Sequence, residues 1–204
     1  MVRMRYLALV AAALLVVSCA GESVNTPTET GTVITKSDLR PDSTVGWLYY
    51  SFATDAVVPA DSIDQQSWDI KLPFLTINSR TIDVMLNSGT VGRGSTMGLV
   101  VEARWETIAS VAPTWSFRSD DTLAVNRVVP NCVMCPQTMF VYSGPPNHAI
   151  IPSPDKVLVL RLADGTFVKL QVTSIYQGAV ANPLATTPIG YYSIRYVKGL
   201  PTTR

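Results

Sequence analysis

Beyond residue 45 short segments alternate apolar and polar side chains one by one. Trp68-Asp69-Ile70-Lys71-Leu72 alternates, and Leu75-Thr76-Ile77-Asn78 takes the pattern up again after Pro73. Successive side chains of an extended strand point to opposite faces, so a period of two predicts half-buried β-strands. Upstream, Trp47-Leu48-Tyr49-Tyr50-Ser51-Phe52 is aromatic-rich, as strands are, and stops at the turn pair Thr54-Asp55. Residues 82–86 predict a further strand. A glycine loop at 87–94 follows, then an apolar strand at 97–101.

The clearest element lies near the C-terminus. Residues 156–163 are an apolar strand, Asp164-Gly165 is a two-residue hairpin turn, and 166–176 return. On the returning strand Val168, Leu170 and Val172 share one face, while Lys169, Gln171 and Thr173 share the other. That predicts one buried face and one solvated face. Residues 191–197 form a last strand. An apolar period of 3.6 never lasts more than two turns, and residues 101–109 are the only candidate short helix. There is no repeat at a fixed period. The expected fold class is all-β, a single antiparallel domain with short helical turns.

Ahead of the strands the pattern changes character. Arg3 and Arg5 precede an apolar run at 7–17, which is too short for a bilayer that needs about 20 residues. The run ends in Val16-Val17-Ser18-Cys19, the small-residue-then-cysteine pattern of a bacterial lipobox. Residues 1–18 are therefore read as a lipoprotein signal peptide and Cys19 as the lipidated residue. Ala20, in place of aspartate, carries no signal for inner-membrane retention, so an outer-membrane anchor at the cell surface is expected. Residues 21–44 are rich in Thr, Ser, Pro, Asp and Glu and read as a flexible tether, spanning roughly 25 Å root-mean-square. The globular domain is placed at 45–204.

Composition agrees with one domain. Of 204 residues, 47% are apolar and 15% charged, enough apolar side chain for a sizeable core. Net charge is +1, and losing Arg3 and Arg5 with the signal peptide leaves 14 basic against 15 acidic residues, a net of −1. With no basic stripe either, nucleic-acid binding is not expected.

Catalytic sets are hard to assemble. With Cys19 lipidated, Cys132 and Cys135 remain as an even pair that an oxidising compartment can bridge. A redox role would need a thioredoxin-like βαβ setting, and a haem c attachment would need His where Pro136 stands. A small structural disulfide is the favoured reading. The glycine loop leads into a strand and not a helix start, so it reads as a turn and not a phosphate cradle. A serine triad would have to use His148, the one histidine, and the Gly-x-Ser-x-Gly elbow is absent. Zinc would have only Cys132, Cys135 and His148 as soft ligands, and a disulfide removes two of them. The protein is read as a non-enzyme. His148 sits in a proline-framed loop at 143–152, and Met134 and Met139 lie shortly before it.

In order along the chain come Tyr49-Tyr50-Ser51-Phe52-Ala53, Ser67-Trp68-Asp69-Ile70 and Asn87-Ser88-Gly89-Thr90. Pro145-Pro146-Asn147-His148-Ala149-Ile150-Ile151-Pro152, the Ala163-Asp164-Gly165 hairpin and Gly190-Tyr191-Tyr192-Ser193-Ile194-Arg195-Tyr196 follow. This succession resembles the HmuY family of haem-binding bacterial lipoproteins over about residues 45–198. Its most specific segments are Trp-Asp-Ile and Ala-Asp-Gly. The resemblance implies an all-β protein that captures haem b and passes it to a TonB-dependent outer-membrane receptor, with no catalytic step. The best-known member holds the iron between two histidines, and some relatives use methionine. One histidine departs from that pattern: His148 would be one ligand, with Met139, Met134 or Met97 opposite. A thioether there favours ferrous iron. On the same reading Trp115, Phe117, Phe140 and Tyr142 line the porphyrin slot, and Arg118 and Arg127 meet the propionates. The alternative is a domain of the same kind that binds a glycan or protein partner instead of haem.

Overall fold

Aromatic and β-branched segments separated by glycine and proline turns fold here as antiparallel sheet. The computed structural model describes residues 31–64, 66–79, 82–131 and 138–203. Its strands are β1 (Ile34–Leu39), β2 (Trp47–Ser51), β3 (Ala56–Val58), β4 (Ile70–Pro73), β5 (Met85–Leu86) and β6 (Met97–Glu102). They continue with β7 (Phe140–Tyr142), β8 (Ile150–Pro152), β9 (Lys156–Arg161), β10 (Phe167–Tyr176) and β11 (Ile189–Lys198). One sheet runs β1-β11-β10-β9-β6, a second β3-β2-β4-β5, and β7 pairs β8 separately. Among the described residues helix is limited to three-residue 3-10 turns, so the all-β expectation is met.

The hairpin expected at Asp164-Gly165 is present, joining β9 to β10, and the turn expected at Thr54-Asp55 joins β2 to β3. Other details differ. Residues 75–78 leave the strand pattern because Thr76 and Ser79 close a turn on each other, Ser79 N–H to Thr76 O at 2.9 Å and Thr76 N–H to Ser79 Oγ at 3.0 Å. Leu75 is turned into the core and Ile77 outward. The helix expected at 101–109 shrinks to the 3-10 turn Trp105–Thr107, because β6 continues to Glu102 against β9. The stretch read as tether supplies a strand from Ile34: β1 pairs β11, with Ile34 opposite Tyr196 and Leu39 opposite Tyr192.

The largest difference concerns the solvated face expected for β10. Val168, Leu170 and Val172 do enter the main core, which they share with Leu48, Tyr50, Ile70 and Leu72 of the four-stranded sheet. Lys169 and Gln171, on the opposite side, are also buried. Trp105, Ile108, Val111 and Leu200 pack over that side against Val157, Val159 and Val197. The Lys169 ammonium donates to Trp105 O at 3.3 Å and Ile108 O at 3.0 Å, and lies 4.1 Å from the Trp105 ring centroid. Gln171 donates to Pro154 O at 3.0 Å and accepts both Nε and Nη2 of Arg195, at 2.9 and 2.8 Å. Two polar side chains are thus buried because each finds partners.

The glycine loop is packed around one amide. Asn87 Nδ2 donates to Trp68 O at 2.8 Å, and its Oδ1 accepts Gly94 N–H at 2.9 Å. A Cβ on Gly94 would stand 2.6 Å from the Asn87 side chain, so the loop closes this tightly only with glycine there.

If Trp105 seals the outer face, Trp105→Ala lowers the unfolding free energy by about 3–5 kcal/mol, as large-to-small core substitutions do. Urea denaturation measures this. A loss under about 1 kcal/mol would show that the face is not sealed by the indole.

Candidate functional site

β7 and β8 form a short hairpin in which Tyr142 pairs Ile150 and Phe140 pairs Pro152. Its connection is held by Ser143 N–H to Ala149 O at 2.8 Å, Ala149 N–H to Ser143 Oγ at 3.0 Å, and His148 N–H to Gly144 O at 2.8 Å. Pro145 and Pro146 add no donors to that turn. His148 takes the left-handed backbone, φ 50°, a conformation in which histidine is enriched among non-glycine residues. Its imidazole is exposed, and Nδ1 is hydrogen-bonded to the Tyr142 hydroxyl.

The hairpin is docked on the far end of β10. The β10–β11 register shifts between Val172 and Ser174 and again before Tyr176, which pairs Ile189. Such irregularities re-aim the side chains that follow. Tyr176 is buried, and its hydroxyl accepts the Ile150 N–H at 3.0 Å. Burial pushes the Tyr176 phenol above its ordinary value, and the Ile150 bond opposes the shift.

Between these pieces lies a concavity of 590 Å³. Two other concavities measure 270 and 190 Å³. The first is within the roughly 300–1,000 Å³ typical of small-molecule sites. Ile77, Ile150 and Ile189 supply apolar wall, Tyr142 and Tyr176 aromatic wall, and His148 the one imidazole. Ser79, Thr186 and Thr187 add hydroxyls. No methionine, lysine or arginine stands among its described lining residues. A hydroxyl both donates and accepts, so Tyr142 can take the Nδ1 proton and leave the Nε2 lone pair to a ligand. The donor set fits one nitrogen bond to a metal porphyrin, with neutral donors along the rim.

Of the residues expected to form the site, Tyr142 and His148 meet at this concavity. Phe140 and Met139 lie next to it in sequence but are 1% exposed inside the main core. Trp115 and Phe117 pack against the second cluster, behind the five-stranded sheet. Arg118 donates to Arg127 O at 2.6 Å, and Arg127 is buried in an ion pair with Asp83. Met97 faces Arg161 across β6 and β9. Cys19, Cys132, Met134 and Cys135 lie outside the described residues. Sequence reasoning missed Tyr176, Ile189 and the 186–187 threonines. Tyr176 was visible as the aromatic end of an alternating strand, whereas 186–187 carry no periodic signal.

A family model described as HmuY protein matches residues 43–196. No curated protein gives a significant match. Among solved structures, a lipoprotein of Bacteroides fragilis NCTC 9343 is similar with a TM-score of 0.48 at 16% identity, covering 84% of this chain and 90% of its own. The apo HmuY analog of Tannerella forsythia gives 0.47 at 14% identity, over 82% and 97% of the two chains. A protein of Bacteroides vulgatus ATCC 8482 described as HmuY-like and heme-binding gives 0.44 at 16%, over 79% and 96%.

The raised Tyr176 phenol has a measurable consequence. The folded chain holds its proton more tightly than the unfolded chain, so the associated stability is complete below the unfolded value of 10.0 and is lost as pH rises through the folded value. Stability curves for wild type and Tyr176→Phe should therefore converge above about pH 10. Below it the variant is weaker by about 1 kcal/mol, the usual cost of one hydrogen-bond partner. Parallel curves across pH 8 to 12 would contradict the assignment.

Proposed function

The chain belongs to the HmuY family, and from that premise we propose that it is a lipid-anchored outer-membrane protein that captures haem b. On this reading it hands haem on to a TonB-dependent receptor, and Cys19 carries the lipid. The observation that carries the proposal is the placement of the only histidine. Of all positions open to it, His148 lines the largest of the three concavities, beside aromatic and apolar walls.

The residues divide the work as follows. His148 Nε2 supplies the nitrogen ligand, and Tyr142 holds Nδ1, fixing the ring and its tautomer, as outer partners of metal-bound histidines do. Ile77, Ile150 and Ile189 exclude water from the porphyrin face. Ser79, Thr186 and Thr187 offer hydroxyls at the rim, where the expected arginines Arg118 and Arg127 do not reach. A methionine would be the second iron ligand: Met139 is enclosed in the main core, and Met134 lies outside the described residues. A second reading, in which the cavity takes a glycan, draws support from the same hydroxyls.

An absorbance titration with haem separates the two. Wild-type protein is expected to shift and sharpen the Soret band at one equivalent, and His148→Ala to abolish the shift. Tyr142→Phe should keep the band but weaken binding by about 10–100-fold. A free-haem spectrum with wild-type protein removes the haem reading and leaves the glycan one. Unaltered binding by His148→Ala removes the ligand assignment alone.

A further inference from the structure

The concavity of 270 Å³ shares no lining residue with the one around His148. It sits on the four-stranded sheet, beside the glycine loop. Lys71 is at its centre, in β4, paired with Tyr49 on one side and Met85 on the other. Its ammonium lies 4.6 Å from the Trp47 ring centroid and 5.6 Å from that of Trp68. The Tyr49 ring stands edge-on to Trp68 at 5.1 Å. Aromatic faces attract a cation but satisfy none of its three N–H donors.

Among the described residues Lys71 makes no hydrogen bond and no ion pair. It is nevertheless half-buried, and burial pushes its amine below the ordinary lysine value, against the pull of Asp120 and with a smaller push from Arg127. Withdrawing an ammonium from water without an acceptor costs free energy that a bound anion would offset. Arg93, on the exposed loop, brings a second cation to the same concavity. The one carboxylate there, Asp64, is turned to its own loop: Oδ1 accepts Gln66 N–H at 2.8 Å and Ser67 N–H at 2.6 Å. The wall opposite is closely packed. A Cβ on Gly92 would stand 2.1 Å from Asn87 Oδ1 and 2.9 Å from the Trp68 ring, so the loop is drawn in against both.

We propose that this concavity is a second binding site, for the carboxylate or phosphate group of a small molecule, with Lys71 as its main cation and Arg93 at the rim. Tyr49 and Trp68 form the wall against which an apolar or planar body of that molecule rests. The site is independent of haem binding at His148.

Trp47 and Trp68 make tryptophan fluorescence the direct probe. The haem-free, full-length protein is titrated with sodium benzoate, with inorganic phosphate, and with sodium chloride at matched ionic strength. A saturable change with benzoate or phosphate and none with chloride supports the site, and the arm that saturates identifies the anion class. Lys71→Met should weaken that binding by about tenfold or more, a charge-assisted contact being lost, while Lys71→Arg stays close to wild type. Arg93→Gln, on the exposed loop, is the second variant and should weaken it less. Far-UV circular dichroism checks that each variant is folded. No saturable change in wild type, a response equal for all three salts, or undiminished binding by folded Lys71→Met overturns the proposal; if Lys71→Met does not fold, undiminished binding by Arg93→Gln does so.

Discussion

Burial of β10 on both of its faces is the constraint on which the rest of the molecule depends. Ten residues run between β9 and β11, with Val168, Leu170 and Val172 against the four-stranded sheet. The opposite side chains are a lysine and a glutamine, and neither can be withdrawn from water without partners. Lys169 obtains them from the carbonyls of Trp105 and Ile108 and from the indole face, Gln171 from Pro154 and Arg195. Those contacts bring the segment after β6 across the back of the sheet. The chain end follows it, with Val111 bridged in parallel to Thr202. A three-layer arrangement results, with the five-stranded sheet in the middle.

The same strand sets the position of the cavity. Its register against β11 is regular as far as Val172 and then slips twice. Beyond Val172 burial resumes at Ser174 and continues through Ile175 and Tyr176. Tyr176 turns toward the β7–β8 hairpin and takes the Ile150 N–H, so the hairpin carrying Tyr142 and His148 is fastened to the central sheet by a phenol. A loop histidine is thereby held on a hairpin anchored to the central sheet.

The two concavities offer opposite chemistry. Around His148 the described lining is apolar, aromatic and hydroxylic, suited to a large uncharged face with one nitrogen ligand. Around Lys71 it is cationic and aromatic, suited to a small anion. They draw on different strands, one on the β10–β11 end and the β7–β8 hairpin, the other on β2, β4 and the glycine loop. The two share no lining residue.

Much of the fold was legible from period and punctuation. The aromatic run at β2, the Asp164-Gly165 hairpin and the terminal strand are local signals, and each stands where the residues put it. Local signals also placed His148 in a proline-framed loop between two strands. They failed where distant chain decides the outcome. Lys169 and Gln171 look solvated until Trp105 and Pro154, many residues away, cover them. Ile34–Leu39 looks like tether because its partner, β11, lies some 150 residues further on. Arg127 looks like an exposed cation until Asp83 takes it. Sequence by itself determined most of the segments that extend beyond residue 45, the turn at Asp164-Gly165, and that one imidazole is available. Only tertiary structure decided which faces are buried and which side chains meet at the cavity, because burial is a property of pairs of surfaces and a single strand carries only one of them.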